Sequence, residues 1–168
     1  RTNDEFKQGH IPKSLFFGLN GQFASWVGSV IKNTNTKILL VTSIGKEKES
    51  VERLSRIGFD GVTGFLEGGF KSWIISQKLI SRIDQTTPKE VGLIDSPVDY
   101  IDVRKRVEFE EGYVKKAINI PLDYIDDYKL NLDKSKVYHV YCEGGYRSMI
   151  ACSILKKNGI LLPIPNRM

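Results

Sequence analysis

Short apolar runs bounded by polar or glycine-containing stretches punctuate this chain: Ile38 to Val41, the segment VDYIDVR from Val98, and Val137 to Tyr141. Runs this short, rich in Ile, Val, Leu and Tyr, have the length and composition of strands buried on both faces of a parallel sheet. Helical spacing alternates with them. Ile150, Ala151, Ile154 and Leu155 recur over Ser148 to Lys157, which ends in two lysines before Asn158-Gly159; a similar stretch, Lys48 to Ile57, stops at Gly58. Strands alternating with helices predict an α/β fold, in which a tight loop leads from a strand end to a helix N-terminus. Ligands sit at that end of such sheets.

The same pattern occurs twice. RTNDEFKQGHIPKS from Arg1 lies without a gap against RKRVEFEEGYVKKA from Arg104, pairing Arg1 with Arg104, Glu5 with Glu108, Phe6 with Phe109 and Gly9 with Gly112 at a constant offset of 103. KILLVTSIGKEKES from Lys37 then lies against KVYHVYCEGGYRS from Lys136 at an offset of 99, which pairs Gly45 with Gly144 and Ser43 with Cys142. Two copies of one unit follow, divided near Asp84-Gln85-Thr86-Thr87-Pro88. The second copy has VDYIDVR ahead of its EF motif, and the first has no counterpart. The first copy ends in GFLEGGFKSW, a strand running into two glycines and a helix, and the ending NGILLPIPNRM of the second shows no such pattern. These differences lead us to expect a first copy without its first strand and a second without its last strand and helix, as in a piece of a longer protein.

Composition narrows the chemistry only slightly. The 168 residues carry 40% hydrophobic side chains, enough for a real core, and a net charge of +5 from 25 basic residues scattered among 20 acids. Scattered charge favours a small anion over nucleic acid as partner. No stretch approaches the roughly 20 apolar residues that span a bilayer, so a membrane partner is not expected. Two cysteines cannot make a disulfide framework, and free thiols suit a reducing compartment such as the cytoplasm. The two histidines are not clustered with other ligand types, so no metal or other cofactor is expected within these residues.

Candidate chemistry concentrates in Cys142-Glu143-Gly144-Gly145-Tyr146-Arg147-Ser148. A thiolate at a helix N-terminus faces unpaired N–H groups, which favour its negative charge. Gly144 and Gly145 let successive N–H groups turn inward as an anion-holding nest. Arg147 offers a charged, planar fork of donors for an oxyanion, and Ser148 suits a helix cap. Other residues have plainer readings. Cys152 belongs in the core, and His139 lies on the strand face opposite Cys142. Arg104 and Glu108 form an internal ion pair fixing a turn, and Trp26 and Trp73 are core or interdomain anchors.

IDVRKRVEFEEGYVKKAINIP followed by VYHVYCEGGYRS resembles the rhodanese superfamily, with its D-x-R strand, E-F-x-x-G-H-I turn, following N-I-P and C-x-x-G-x-R-S loop. Asp102, Arg104, Glu108, Phe109, Gly112, Asn119, Ile120 and Pro121 match the first part. Cys142, Gly145, Arg147 and Ser148 match the loop, and Tyr113 stands at the histidine. EFKQGHIPKS, FASWVGSVI and GFLEGGFKSW extend the resemblance through the first copy. It implies two rhodanese-like domains, each a mainly parallel central sheet flanked by helices: residues 1–84 without the catalytic cysteine, and residues 85–168 carrying the active loop. It further implies a sulfurtransferase moving sulfane sulfur from thiosulfate or a low-molecular-weight persulfide to a thiol, sulfite or cyanide. Cys142 is the nucleophile, Glu143 to Ser148 bind substrate, and Asp102, Arg104 and Glu108 are structural. In this superfamily a C-x4-R loop, as here, is sized for sulfur, and a C-x5-R loop for a phosphate-like oxyanion. The first copy is similar to the rhodanese region fused behind a metallo-β-lactamase-fold persulfide dioxygenase, whose metal would belong to that upstream domain. The alternative is a non-catalytic tandem module that scaffolds a neighbouring catalytic domain.

Overall fold

A computed structural model of the chain describes residues 1–91, 98–128 and 131–163. The first repeat contains α1 (Asn3–Gln8), α2 (Phe23–Val30), β1 (Ile38–Leu40), α3 (Glu47–Ser55), β2 (Val62–Phe65) and α4 (Gly69–Ile75). After the short α5 (Pro88–Val91), the second repeat contains β3 (Asp99–Asp102), α6 (Arg106–Glu111), β4 (Ile118–Asn119), a 3-10 turn (Leu122–Tyr124), α7 (Ile125–Tyr128), β5 (Tyr138–Tyr141) and α8 (Tyr146–Lys157). β1 pairs with β2, and β3 lies between β4 and β5; all of these pairings are parallel. The α/β reading therefore holds, with α8 starting two residues earlier than its spacing indicates.

Hydrogen bonds reproduce the sequence repeat. Arg1 Nη1 donates to the Gly9 carbonyl at 2.8 Å, and Arg104 Nη2 donates to the Gly112 carbonyl at 2.6 Å. The Thr2 N–H reaches Glu5 Oε2 at 2.8 Å, and the Lys105 N–H reaches Glu108 Oε2 at 3.0 Å, so α1 and α6 start with the same carboxylate turned back on the helix entrance. The helices after the loops also end alike. The Phe59 N–H returns to the Leu54 carbonyl and the Ile160 N–H to the Leu155 carbonyl, each at 3.1 Å, across Gly58 and Gly159 with φ near +80°. Only glycine enters that left-handed turn without strain, which is why both helices stop there.

The sheets are less enclosed than the apolar runs suggest. Leu39 is 69% exposed and Val137 45% exposed, so neither run is buried on both faces. The second repeat also has more of its last strand than its sequence indicates. Leu161 forms a parallel bridge to Val137, with the Tyr138 N–H donating to the Leu161 carbonyl at 3.0 Å, and Ile160 and Leu162 are buried. The final stretch, residues 164–168, lies outside the described residues. In the first repeat, a cavity of about 340 Å³ separates Leu15, Phe16 and Phe17 from Ile38 to Thr42. The repeat offsets map Asn119 onto Phe16 and Tyr141 onto Thr42, and in the second repeat Asp102 of β3 pairs with both. The cavity thus occupies the position of β3, and among the described residues no strand fills it.

One core joins the repeats. Phe6, Phe16, Trp26 and Ile83 pack in the same buried cluster as Ile101, Ile120, Ile150 and Leu155, whereas Phe23, Val27, Leu54 and Phe59 form a smaller cluster in the first repeat. Each large side chain buried in this way stabilises by about 1.5–3 kcal/mol. Trp26 is a core anchor as expected. Trp73 is not: it lies half-buried with Nε1 donating to the Leu79 carbonyl and Lys78 over its ring, clasping the turn after α4. At the junction the Phe16 N–H donates to Ser153 Oγ at 3.0 Å inside the core, and the Ser153 hydroxyl donates to the Ile150 carbonyl. Ser153→Ala strands a buried N–H, so the expected loss is about 1–3 kcal/mol of unfolding free energy, read from the urea midpoint at unchanged m-value.

Candidate active site

β5 ends at Tyr141, and the chain turns at once into the loop that starts α8. Gly145 holds φ +80° and serves as N-cap, which swings its own N–H and that of Ser148 back toward the thiol. The Gly145 N–H donates to Cys142 Sγ at 3.2 Å and the Ser148 N–H at 3.3 Å. The thiol itself lies 3.4 Å from Ser148 Oγ, which accepts its proton, and the Ser148 hydroxyl donates to the Gly145 carbonyl at 3.1 Å. Ser148 therefore is not the helix cap: Gly145 takes that place, and Ser148, one turn in, contacts the sulfur directly. A thiolate here meets two N–H donors at the positive end of a twelve-residue helix.

The charged residues pair differently from the expectation. Arg104 does not bind Glu108; its Nε and Nη2 clasp the fully buried Asp102 carboxylate, with Nη2 to Oδ2 at 2.7 Å. Glu108 instead reaches across to the loop. Arg147 Nη1 donates to Glu108 Oε2 at 2.6 Å and Nη2 to Oε1 at 2.8 Å, a bidentate pair in which both side chains are largely shielded. These bonds pull the Glu108 carboxyl down to about 2 and raise the Arg147 guanidinium. Arg147 is thus already matched by a carboxylate, where the sequence pointed to a cation open to substrate.

Glu143 and Gly144 are exposed at the mouth of the loop. Tyr146 faces away from it. Its hydroxyl donates to the Gly18 carbonyl at 2.6 Å and its ring packs edge-on against Phe16, so its side chain ties the loop to the first repeat. Burial pushes the Tyr146 phenol up to about 12, keeping it a donor. Asn3 adds a second tether, with Nδ2 3.5 Å from the Gly145 carbonyl. Sequence reading missed both, because the partners stand 128 and 142 residues apart. Cys152 is a core residue, its thiol pushed up to about 12 by burial. His139 lies tilted against the Tyr100 ring, and burial lowers its pKa. Among the described residues no three His, Cys, Asp or Glu side chains converge to hold a metal ion, and no helix is long and apolar enough to cross a membrane.

The corresponding loop of the first repeat differs in more than its nucleophile. Its left-handed glycine, Gly45, stands two residues ahead of α3, whereas Gly145 stands directly ahead of α8. Lys48, in register with Arg147, extends into solvent, with Glu52 at 3.9 Å. Ser43 replaces Cys142.

The family profile of the rhodanese-like domain matches residues 1–76 and again residues 88–164. The chain belongs to the rhodanese-like domain family. Among curated proteins it is similar to "Putative sulfurtransferase YtwF" of Bacillus subtilis, 35% identical over 80 residues, covering 48% of this chain and 78% of that protein. It is also similar to a tRNA sulfurtransferase of Thermoplasma acidophilum, 33% identical over 69 residues, covering 41% of this chain and 14% of that protein. A solved rhodanese-like domain protein from Staphylococcus aureus is 36% identical, covering 44% of this chain and 72% of that one at a TM-score of 0.41.

The rhodanese-like loop leads to two measurements. Iodoacetamide should label one thiol per native chain, Cys142, and both thiols only in denaturant, as counted by intact mass; native labelling of Cys152 contradicts the burial described. The second concerns acid. The Glu108 carboxyl is depressed in the folded state, about 2 against about 4.3 unfolded. Its stabilisation is therefore present above about pH 4.3 and lost as pH falls toward the folded value. Glu108→Gln should flatten the acid-side slope of unfolding free energy against pH over that window.

Proposed function

We propose that the second repeat is a sulfurtransferase in which Cys142 accepts a sulfane sulfur from thiosulfate or a low-molecular-weight persulfide and yields it to a thiol, sulfite or cyanide. The observation that carries this reading is the convergence of the Gly145 and Ser148 N–H groups on one sulfur, Cys142 Sγ, at 3.2 and 3.3 Å. The Cys142 thiolate attacks the outer sulfur of the donor; its bond to the donor breaks, and sulfite or a thiolate leaves with the electron pair. An acceptor nucleophile then attacks the outer sulfur of the cysteine persulfide, and the Cys142 thiolate departs onto the same two N–H groups. Relatives named as sulfurtransferases support the general chemistry, and the C-x4-R spacing supports sulfur over phosphate.

In this reading residues 1–84 form the cysteine-less partner and residues 85–168 the transferring unit. The first repeat serves the second through the Asn3 and Gly18 contacts. We further infer, on the resemblance of FASWVGSVIK and RLSRIGFDGVTGFLEGG alone, that the pair belongs with a metallo-β-lactamase-fold persulfide-metabolising domain. Both cysteines are free, which suits a cytoplasmic setting.

Intact-mass spectrometry after incubation with thiosulfate or glutathione persulfide tests the reading. One added sulfur, removable by reductant and absent in Cys142→Ser, is expected, together with loss of sulfur transfer to cyanide. Transfer that survives in Cys142→Ser would refute it.

A further inference from the structure

The Gly145 N–H that meets Cys142 Sγ at 3.2 Å belongs to a peptide flanked by two glycines. Gly144 stands exposed, and a Cβ there would have no neighbour within 4 Å. Sterics inside the loop therefore do little to stop this peptide from rotating and turning its N–H off the sulfur. Its restraint comes from the peptide that follows. The Gly145 carbonyl accepts the Met149 N–H and the Ser148 hydroxyl, each at 3.1 Å, and Asn3 Nδ2 of the first repeat lies 3.5 Å from it. Tyr146, the first residue of α8, is anchored entirely outside its own repeat. Its hydroxyl reaches the Gly18 carbonyl at 2.6 Å, and its ring centroid lies 5.8 Å from that of Phe16.

We propose that Tyr146 is a positioning residue for sulfur transfer, through which the cysteine-less repeat holds the Gly145 N–H on Cys142 Sγ; the proposal rests on the sulfurtransferase reading above. The receiving side is shaped for this contact. A Cβ at Gly18 would lie 3.0 Å from Phe16 Cζ and 3.2 Å from Tyr146 Cε2, and the Gly18 backbone lies outside the left-handed region, so glycine supplies space for the Tyr146 ring rather than a special turn. The next carbonyl, Leu19, is fixed by Arg53 Nη1 of α3 at 2.6 Å, which gives the Gly18 acceptor a firm base. The chemistry that draws on this hold is the discharge of the persulfide. When cyanide attacks, its carbon bonds to the outer sulfur, the S–S bond breaks, thiocyanate forms, and the electron pair leaves on Cys142 as thiolate. An N–H already aimed at that sulfur meets the developing charge without reorganising. Tyr146 acts only through the backbone, so its contribution falls on this step and not on binding of the donor.

The test loads the whole chain with sulfur from thiosulfate and follows single-turnover discharge to cyanide, beside steady-state kinetics and urea midpoints, for the native protein, Tyr146→Phe and Gly18→Ala. Tyr146→Phe keeps the ring and removes the hydroxyl. It should slow discharge by about fivefold, as loss of one hydrogen bond allows, with kcat falling and the thiosulfate KM unchanged. Gly18→Ala leaves every group of the active loop in place and pushes the Tyr146 ring back from the first repeat, so it should slow discharge in the same direction. A tether with a merely structural role lowers the urea midpoint and leaves discharge by the folded protein alone. Discharge at the native rate in Tyr146→Phe, or a loss that appears in KM and not in kcat, would overturn the proposal while leaving sulfur transfer intact. Failure of the native protein to load sulfur at all, with Cys142 still alkylated by iodoacetamide, would overturn the parent reading and this one with it.

Discussion

The buried carboxylate of Asp102 is the constraint from which the active face of the second repeat is built. It ends β3 with no exposed surface, where an unpaired charge is prohibitively costly. Arg104 resolves that by clasping it, and the same guanidinium extends to the Gly112 carbonyl beyond α6. Asn119 on the neighbouring strand donates to the carbonyls of both Asp102 and Arg104. Three segments are thereby held at the strand ends, and removing one member of such a pair costs about 3–5 kcal/mol. α6 emerges from this frame with Glu108 directed at the loop, so the placement of Arg147 follows from a charge buried one strand away.

The two repeats share this frame and diverge in what it supports. Arg1 and Glu5 keep the contacts of Arg104 and Glu108 with their own backbone. Across from Glu5, however, Lys48 has turned to solvent and Ser43 carries no thiol. A hydroxyl cannot store a transferable sulfur, and a loop with its left-handed glycine displaced by one residue presents its N–H groups elsewhere. The first repeat contributes in another way: Phe16, Gly18 and Asn3 hold α8 and its loop from outside. Because the main core draws on both repeats, the geometry of the thiol depends on residues of a unit that has no thiol of its own.

Much of the fold was legible because its signals are local. Short apolar runs and the helix stops at Gly58 and Gly159 each depend on neighbours within a few residues, and the structure keeps both. What failed was reading burial from composition. Leu39 and Val137 look like core residues, yet whether a strand face is covered depends on which elements pack over it. The short last strand at Leu161 was hidden for the related reason that pairing, and not the run itself, makes it a strand.

The sequence by itself determined the local cradle: a thiol at a strand exit, a glycine able to enter the left-handed turn, and a helix whose first N–H groups have no other partner. Backbone conformation over six residues suffices for that. The tertiary structure alone decided what the cradle's cation does, because the partner of Arg147 lies 39 residues away and could have been Arg104's neighbour or a substrate. It likewise decided that the Tyr146 side chain meets the first repeat, at Gly18 and Phe16. A pairing across the fold depends on how the strands are ordered and how the helices are held, and no spacing along the chain encodes that choice.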